Sequence, residues 1–287
     1  MPDPCCAEGL APRRRRLAPR VWIVLLMPWL AACEGLIYHP QPMTQREAQV
    51  VRARHPQVEE LRVVAADGVH LRGWVARDPG PAPRTLVIYF GGNAEEVSWM
   101  LDFRGAFTGW DLALVNYRGY GLSEGRPSER ALFADAVTIH DHLAGTRGAQ
   151  AGPVVAFGRS LGSAVAVHLA SRRPLRGVIL VAPFDSVGAV ARGVVPFLPT
   201  GLLLGEVFDS LALAPSVTAP LGMIVAERDE VIPNEHSTRL FDAWAGPKER
   251  VTIRGAGHND LQSYRGYWRA IEDFLAGWRG AIANPPG

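Results

Sequence analysis

Val154-Val155-Ala156-Phe157-Gly158-Arg159-Ser160-Leu161-Gly162-Ser163-Ala164-Val165-Ala166-Val167-His168-Leu169 is the stretch from which the architecture can be read. Its opening is a short β-branched and apolar run, the pattern of a buried strand, and Leu161 to Arg172 carries spacing near 3.6 residues, the pattern of a helix. A serine flanked by glycines stands at the junction. Strand, sharp turn, then helix is the geometry that lifts a hydroxyl off a sheet edge at the positive end of a helix. The five-letter pattern alone is weak, and it recurs at Gly121-Leu122-Ser123-Glu124-Gly125. That copy lies several residues past its strand and runs into Arg126-Pro127, so no helix can start on Ser123. Ser160 is the predicted nucleophile.

Outward from the elbow, short strands alternate with helical patterns. Val58 to Ala65 and Val69 to Ala76, joined across Asp67-Gly68, predict an antiparallel hairpin. Thr85 to Phe90, Asp111 to Tyr117, Pro153 to Phe157, Gly177 to Ala182, Leu221 to Ala226 and Arg250 to Ile253 predict six further strands. Glu95 to Phe107, Pro127 to Leu143, Leu161 to Arg172, Glu235 to Trp244 and Tyr264 to Trp278 predict helices. This is an α/β pattern: a mostly parallel eight-stranded sheet with helices on both faces, its loops and its chemistry on the edge where strands end. Residues 187–215, between strands six and seven, hold seven glycines and prolines among leucines and valines, which predicts a small apolar lid; a crossover helix broken by prolines is the alternative.

A serine hydroxyl needs a base at neutral pH, and histidine has the suitable pKa. Of eight histidines, His140, His142 and His168 fall in helical patterns, and His39, His55 and His70 precede the core units. His236 follows Pro233 near a helix start, where a solvated place is expected. His258 alone follows a final strand, in the loop Gly255 to Asp260. The acid that orients it is expected at Asp229, after the strand Leu221 to Ala226, giving the order serine, acid, histidine. Asp185, one strand earlier, is the competitor and would otherwise cap the start of the lid. Oxyanion donors are expected from the backbone amides of Leu161, first in the helix after the nucleophile, and Asn93, just past Tyr89-Phe90-Gly91-Gly92.

The N-terminus reads differently from the rest. Arg13 to Arg16 and Arg20 precede the apolar run Val21 to Ala32, which is interrupted by Pro28 and ends at Cys33. A spanning helix needs roughly 18 or more apolar residues, so twelve with a proline inside point to an export signal. An uncleaved signal anchor is the alternative. Those arginines also create the formal charge of +2; without residues 1–32, 25 basic residues face 26 acidic, which leaves no basic patch for nucleic acid. The three cysteines are Cys5, Cys6 and Cys33, so no disulfide framework exists in the body of the chain. The expected layout is a signal peptide over 1–32, a tether over 33–57, a catalytic domain over 58–282 and a tail over 283–287.

Two resemblances sharpen these expectations. Leu30-Ala31-Ala32-Cys33 resembles the lipobox of bacterial lipoproteins, which implies acylation of Cys33 and a lipid-anchored domain in the cell envelope, facing the periplasm. Phe90-Gly91-Gly92-Asn93-Ala94, Asn116 to Gly125, Gly158 to Gly162 and Phe208-Asp209-Ser210 resemble the α/β-hydrolase superfamily over roughly residues 58 to 280. Within it they are similar to the small-lidded branch of protein depalmitoylases and serine aminopeptidase-like hydrolases. The resemblance implies hydrolysis of lipid or small-molecule acyl esters or thioesters through an acyl-serine, with no metal and no cofactor. An aminopeptidase-like activity and a catalytically inactive lipoprotein scaffold are the alternatives. The family usually carries histidine where this chain has Gly91, and Arg118 and Tyr120 read as structural supports.

Overall fold

The computed structural model describes residues 37–80, 84–148, 151–194 and 207–283. The segment expected to be a signal peptide and Cys33 lie outside them, as does the middle of the expected lid. Residues 38–287 cluster as one compact unit.

Its centre is an eight-stranded sheet in the order β1-β2-β4-β3-β5-β6-β7-β8. The strands are β1 Val58–Val64, β2 His70–Ala76, β3 Arg84–Phe90, β4 Trp110–Val115, β5 Ala151–Arg159, β6 Gly177–Val181, β7 Leu221–Ala226 and β8 Lys248–Ile253. β1 and β2 form the expected hairpin, pairing Val58 with Ala76 and Val64 with His70. β2 joins β4 antiparallel, and every later pairing is parallel. The residue patterns explain this division. β1 alternates buried and exposed positions, as an edge strand with one wet face does, whereas β4, β6 and β7 are buried at every position and must be covered on both faces.

The covering helices are α1 Gln45–Arg54, α2 Glu129–Arg147, α3 Leu161–Arg172, α4 Val187–Val194, α5 Ser210–Leu213, α6 Asn234–Ala243 and α7 Arg265–Ala283. α2 packs on α3, which lies against β5 and β6, while α7 packs with the 3-10 segment Val97–Phe107 against the sheet's other face. On that second face Tyr89, Val155, Phe157, Ile179 and Ile224 from the strands form one core with Met100, Phe107, Ile271 and Phe274.

Two segments differ in local structure from the sequence pattern. Residues 38–57, read as a tether packing against the domain edge, include the helix α1. Thr44 caps α1 in a reciprocal box with Glu47, Ala48 is fully buried, and Met43 N–H donates to Gly121 O at 2.8 Å. Periodicity missed α1 because only one of its ten residues is buried. The segment after β3 also departs from the predicted helix: it is 3-10, begins at Val97 and breaks at Phe103. Glu96 is its N-cap, accepting from Ser98 N–H, which leaves Glu95 in the preceding loop.

Candidate active site

Parallel strands deliver their following loops to one edge, and the predicted residues arrive there on β3, β5, β7 and β8. Ser160 sits between the end of β5 and the start of α3, with φ 50° and ψ −116°, a left-handed conformation rare for a residue with a side chain. Such a turn leaves no space beside it: a Cβ on Gly158 would lie 2.2 Å from Gly162 O, and one on Gly162 would lie 2.0 Å from Phe90 O. The flanking glycines are required by this close approach.

His258 brings the three side chains together. Its Nε2 is 3.1 Å from Ser160 Oγ, and its Nδ1 is 2.9 Å from Asp229 Oδ2. With Nδ1–H donating to the carboxylate, Nε2 is left free to accept the serine proton. The Asp229 and His258 side chains are 2% and 6% exposed, so their pairing is little weakened by water. The histidine loop is pinned at nearly every peptide. Glu227 accepts from Gly255 N–H, Asp260 from Gly257 N–H and Glu230 from His258 N–H, while Tyr264 donates to Gly255 O.

Asp185 does not join this group. Its Oδ1 is 2.8 Å from His236 Nδ1 and its Oδ2 accepts from Arg239 Nε at 2.7 Å. His236, expected to be solvated, is 3% exposed: this carboxylate and guanidinium satisfy it in the interior. Asp185 does serve the lid base, accepting from Ser186 N–H through its side chain and from Leu211 N–H through its carbonyl. His168 stacks on Phe133 with ring centres 4.0 Å apart, and burial, with Arg172 nearby, lowers its pKa to about 4. Ser123 is a buried turn residue whose hydroxyl accepts from Arg72 N–H and donates to Asn116 O.

Of the two residues expected to supply backbone donors, Leu161 is the first residue of α3, where an N–H has no acceptor within its own helix. Asn93 follows Gly92, on which a Cβ would stand 3.6 Å from Ser160 Cβ, so its loop abuts the nucleophile. The Asn93 side chain is held by the Tyr120 hydroxyl at 2.8 Å and by His39, whose N–H donates to Asn93 Oδ1 at 2.9 Å. Tyr117 donates to Gly91 O at 2.8 Å. Burial drives the Tyr117 phenol well above its ordinary pKa and keeps it a donor. Arg118 bridges Asp67 and Asp135, a structural support as expected.

Sequence reasoning missed Glu95, Arg159 and His39 at this edge. The only local signal for the first two was position, since one adjoins the glycine loop and the other precedes the nucleophile.

A strained serine elbow after a central parallel strand, faced by a histidine and an acid from the last two strands, defines a hydrolase of α/β architecture. Comparison with known proteins agrees. Residues 81–214 match the family described as serine aminopeptidase, S33. An uncharacterized protein of Mycobacterium tuberculosis is 36% identical over 244 residues, covering 84% of this chain and 86% of that one. The α/β hydrolase domain-containing protein 17B of Xenopus laevis is 30% identical over 200 residues, 68% of each chain. Among solved structures, an esterase of Pyrococcus furiosus superposes with a TM-score of 0.66 over 85% of this chain and 97% of that one; at 18% identity the likeness concerns the fold. The chain belongs to the α/β-hydrolase superfamily, and it is a hydrolase.

Proposed function

We propose that this hydrolase cleaves carboxylic esters or thioesters through an acyl-Ser160 intermediate. The observation that carries the proposal is the unbroken relay from Asp229 Oδ2 through His258 to Ser160 Oγ, at 2.9 and 3.1 Å. In the first step the Ser160 proton passes to His258 Nε2 as Oγ bonds to the acyl carbon, and the carbonyl electrons move onto oxygen. The amides of Leu161 and Asn93 are the donors assigned to that oxyanion, each worth about 2.7 to 4 kcal/mol in kcat. Collapse re-forms the carbonyl and expels an alcohol or thiol, which takes the proton from Nε2. Water, deprotonated by the same nitrogen, then releases the acid and restores Ser160. Asp229 stays ionised and stabilises the imidazolium in both halves.

The family description favours a second reading, an aminopeptidase-like amide hydrolase. A free amine needs a carboxylate to bind it, and Glu227 and Glu230 beside His258 are already engaged by backbone N–H groups. Ester or thioester chemistry is the better fit. An inactive scaffold would have no physical need for the complete relay.

We also infer that Cys33 is acylated and holds the domain at the bacterial envelope on the periplasmic side, which suits a lipid acyl ester as substrate.

Fluorophosphonate labelling followed by assays on p-nitrophenyl esters of graded length and on aminoacyl p-nitroanilides tests the chemistry. We expect labelling that disappears in Ser160→Ala, and ester turnover well above anilide turnover. No Ser160-dependent labelling of folded protein would sink the proposal, and faster anilide cleavage would replace it with the aminopeptidase.

A further inference from the structure

Beneath the oxyanion loop lies a buried ion pair that none of these steps consumes. Arg159 precedes the nucleophile, and its Nη1 is 3.0 Å from Glu95 Oε2, the two side chains being 13% and 7% exposed. Glu95 is fully occupied: Oε2 also accepts from Gly92 N–H at 2.7 Å, and Oε1 accepts from the Tyr89 hydroxyl at 2.6 Å and the Trp99 indole at 2.9 Å. The other arm of the guanidinium, Nη2, donates to the His258 carbonyl at 3.3 Å. One side chain therefore reaches the base's loop directly and the glycine loop through a single carboxylate, while its own backbone leads into Ser160.

Stability is a weak reason for such a pair, because desolvating two charges costs much of what their attraction returns. Its placement suggests another. A Cβ on Gly91 would lie 3.2 Å from Glu95 Cδ and 3.0 Å from Val97 Cγ1, and one on Gly92 would lie 3.0 Å from Arg159 Nη1 and 3.1 Å from Glu95 Oε2. The loop backbone lies against the ion pair so closely that a side chain at either glycine would press on it.

We propose that Arg159 and Glu95 are positioning residues, a cross-tie that fixes the glycine loop carrying Asn93 and the loop carrying His258 relative to each other across Ser160. The inference rests on the acyl-Ser160 reading. A planar guanidinium fork holds two partners in one geometry, which a single ammonium cannot do. Loosening it should leave substrate binding intact and misplace the groups that act only at the transition state. A misplacement of about 1 Å can cost on the order of 100-fold in rate.

The test compares Arg159→Gln, Arg159→Lys, Glu95→Gln and the double variant Arg159→Gln/Glu95→Gln. Each is assayed on p-nitrophenyl butyrate, with competent sites counted by fluorophosphonate labelling taken to completion and folding followed by circular dichroism. For Arg159→Gln we expect kcat per labelled site to fall roughly 10- to 100-fold with KM within about twofold of wild type. Affinity for a butyl boronic acid, which mimics the tetrahedral adduct, should fall in parallel. Arg159→Lys should lie between the two, and the double variant should be scarcely worse than the worse single one. Per-site kcat of Arg159→Gln within threefold of wild type, a rise in KM alone, or additive losses would overturn the cross-tie. If Arg159→Gln does not fold, Arg159→Lys and Glu95→Gln decide by the same criteria. Wild-type protein that never labels at Ser160 would overturn the underlying chemistry instead.

Discussion

Asp229 uses its two oxygens differently. Oδ2 faces His258 Nδ1 at 2.9 Å, while Oδ1, 3.0 Å from the same nitrogen, accepts backbone N–H groups from Val231 at 3.0 Å and Ile232 at 2.7 Å. That division predicts the outcome of Asp229→Asn. The amide oxygen would keep the two backbone donors, turning its NH2 toward the imidazole, so Nδ1 would have to accept and Nε2 would carry the proton. The serine proton would then have no acceptor. We expect a folded variant with kcat on p-nitrophenyl esters reduced by about 10,000-fold and KM little changed. Steady-state kinetics check this, and a loss below tenfold would mean that Asp229 does not set the tautomer. At this scale the meeting of Ser160, Asp229 and His258 was legible because each occupies a loop position defined by the strand before it. His236 was not: its burial depends on Asp185 and Arg239, 51 and 3 residues away, and no local pattern records the first of these.

At the scale of elements, the insert between β6 and β7 is held at its return. Val187 N–H donates to Val207 O at 3.0 Å, joining the two ends of the insert. Glu129, at the start of α2, accepts from Val207 N–H at 2.6 Å and Phe208 N–H at 3.0 Å. Phe208 needs this grip, since it holds φ 43° and packs edge-on against Phe133 and Tyr38. If the insert covers the acyl chain, Glu129→Ala should raise KM for p-nitrophenyl esters of long acids several-fold and leave kcat/KM for the acetate within about twofold. Equal effects on both would assign Glu129 to stability alone. The strands themselves were predicted to within about two residues because strand ends are set by local apolar runs. The 3-10 segment was mispredicted because Glu95 leaves the helix for Gly92, Tyr89, Trp99 and Arg159, contacts made mostly outside its own turn.

At the scale of the molecule, residues 38–43 run onto the catalytic edge. Tyr38 is buried against Phe208, His39 meets Asn93, and Pro42 bridges Gly121. Only five peptide bonds separate Cys33 from Tyr38, at most about 3.6 Å of reach each, so an acyl anchor on Cys33 would keep this segment near the bilayer. Acyl chains contribute about 0.8 kcal/mol per buried methylene, enough for lasting attachment when several are present. We expect wild-type protein in the membrane fraction and Cys33→Ser in the supernatant after cell fractionation; equal partitioning would defeat the anchoring proposal. Among the described residues no helix is long and apolar enough to cross a membrane.

The sequence by itself determined the alternation of strand and helix, the elbow at Ser160 and the loops bearing Asp229 and His258, because each follows from residue types within a few positions of one another. Tertiary structure alone decided that Arg159 reaches Glu95 and His258 across 64 and 99 residues, that His39 meets Asn93 across 54, and that His236 is interior. Those contacts depend on how the sheet brings separate loops to one edge, and charge or periodicity along the chain carries no trace of which partner a buried polar group will find.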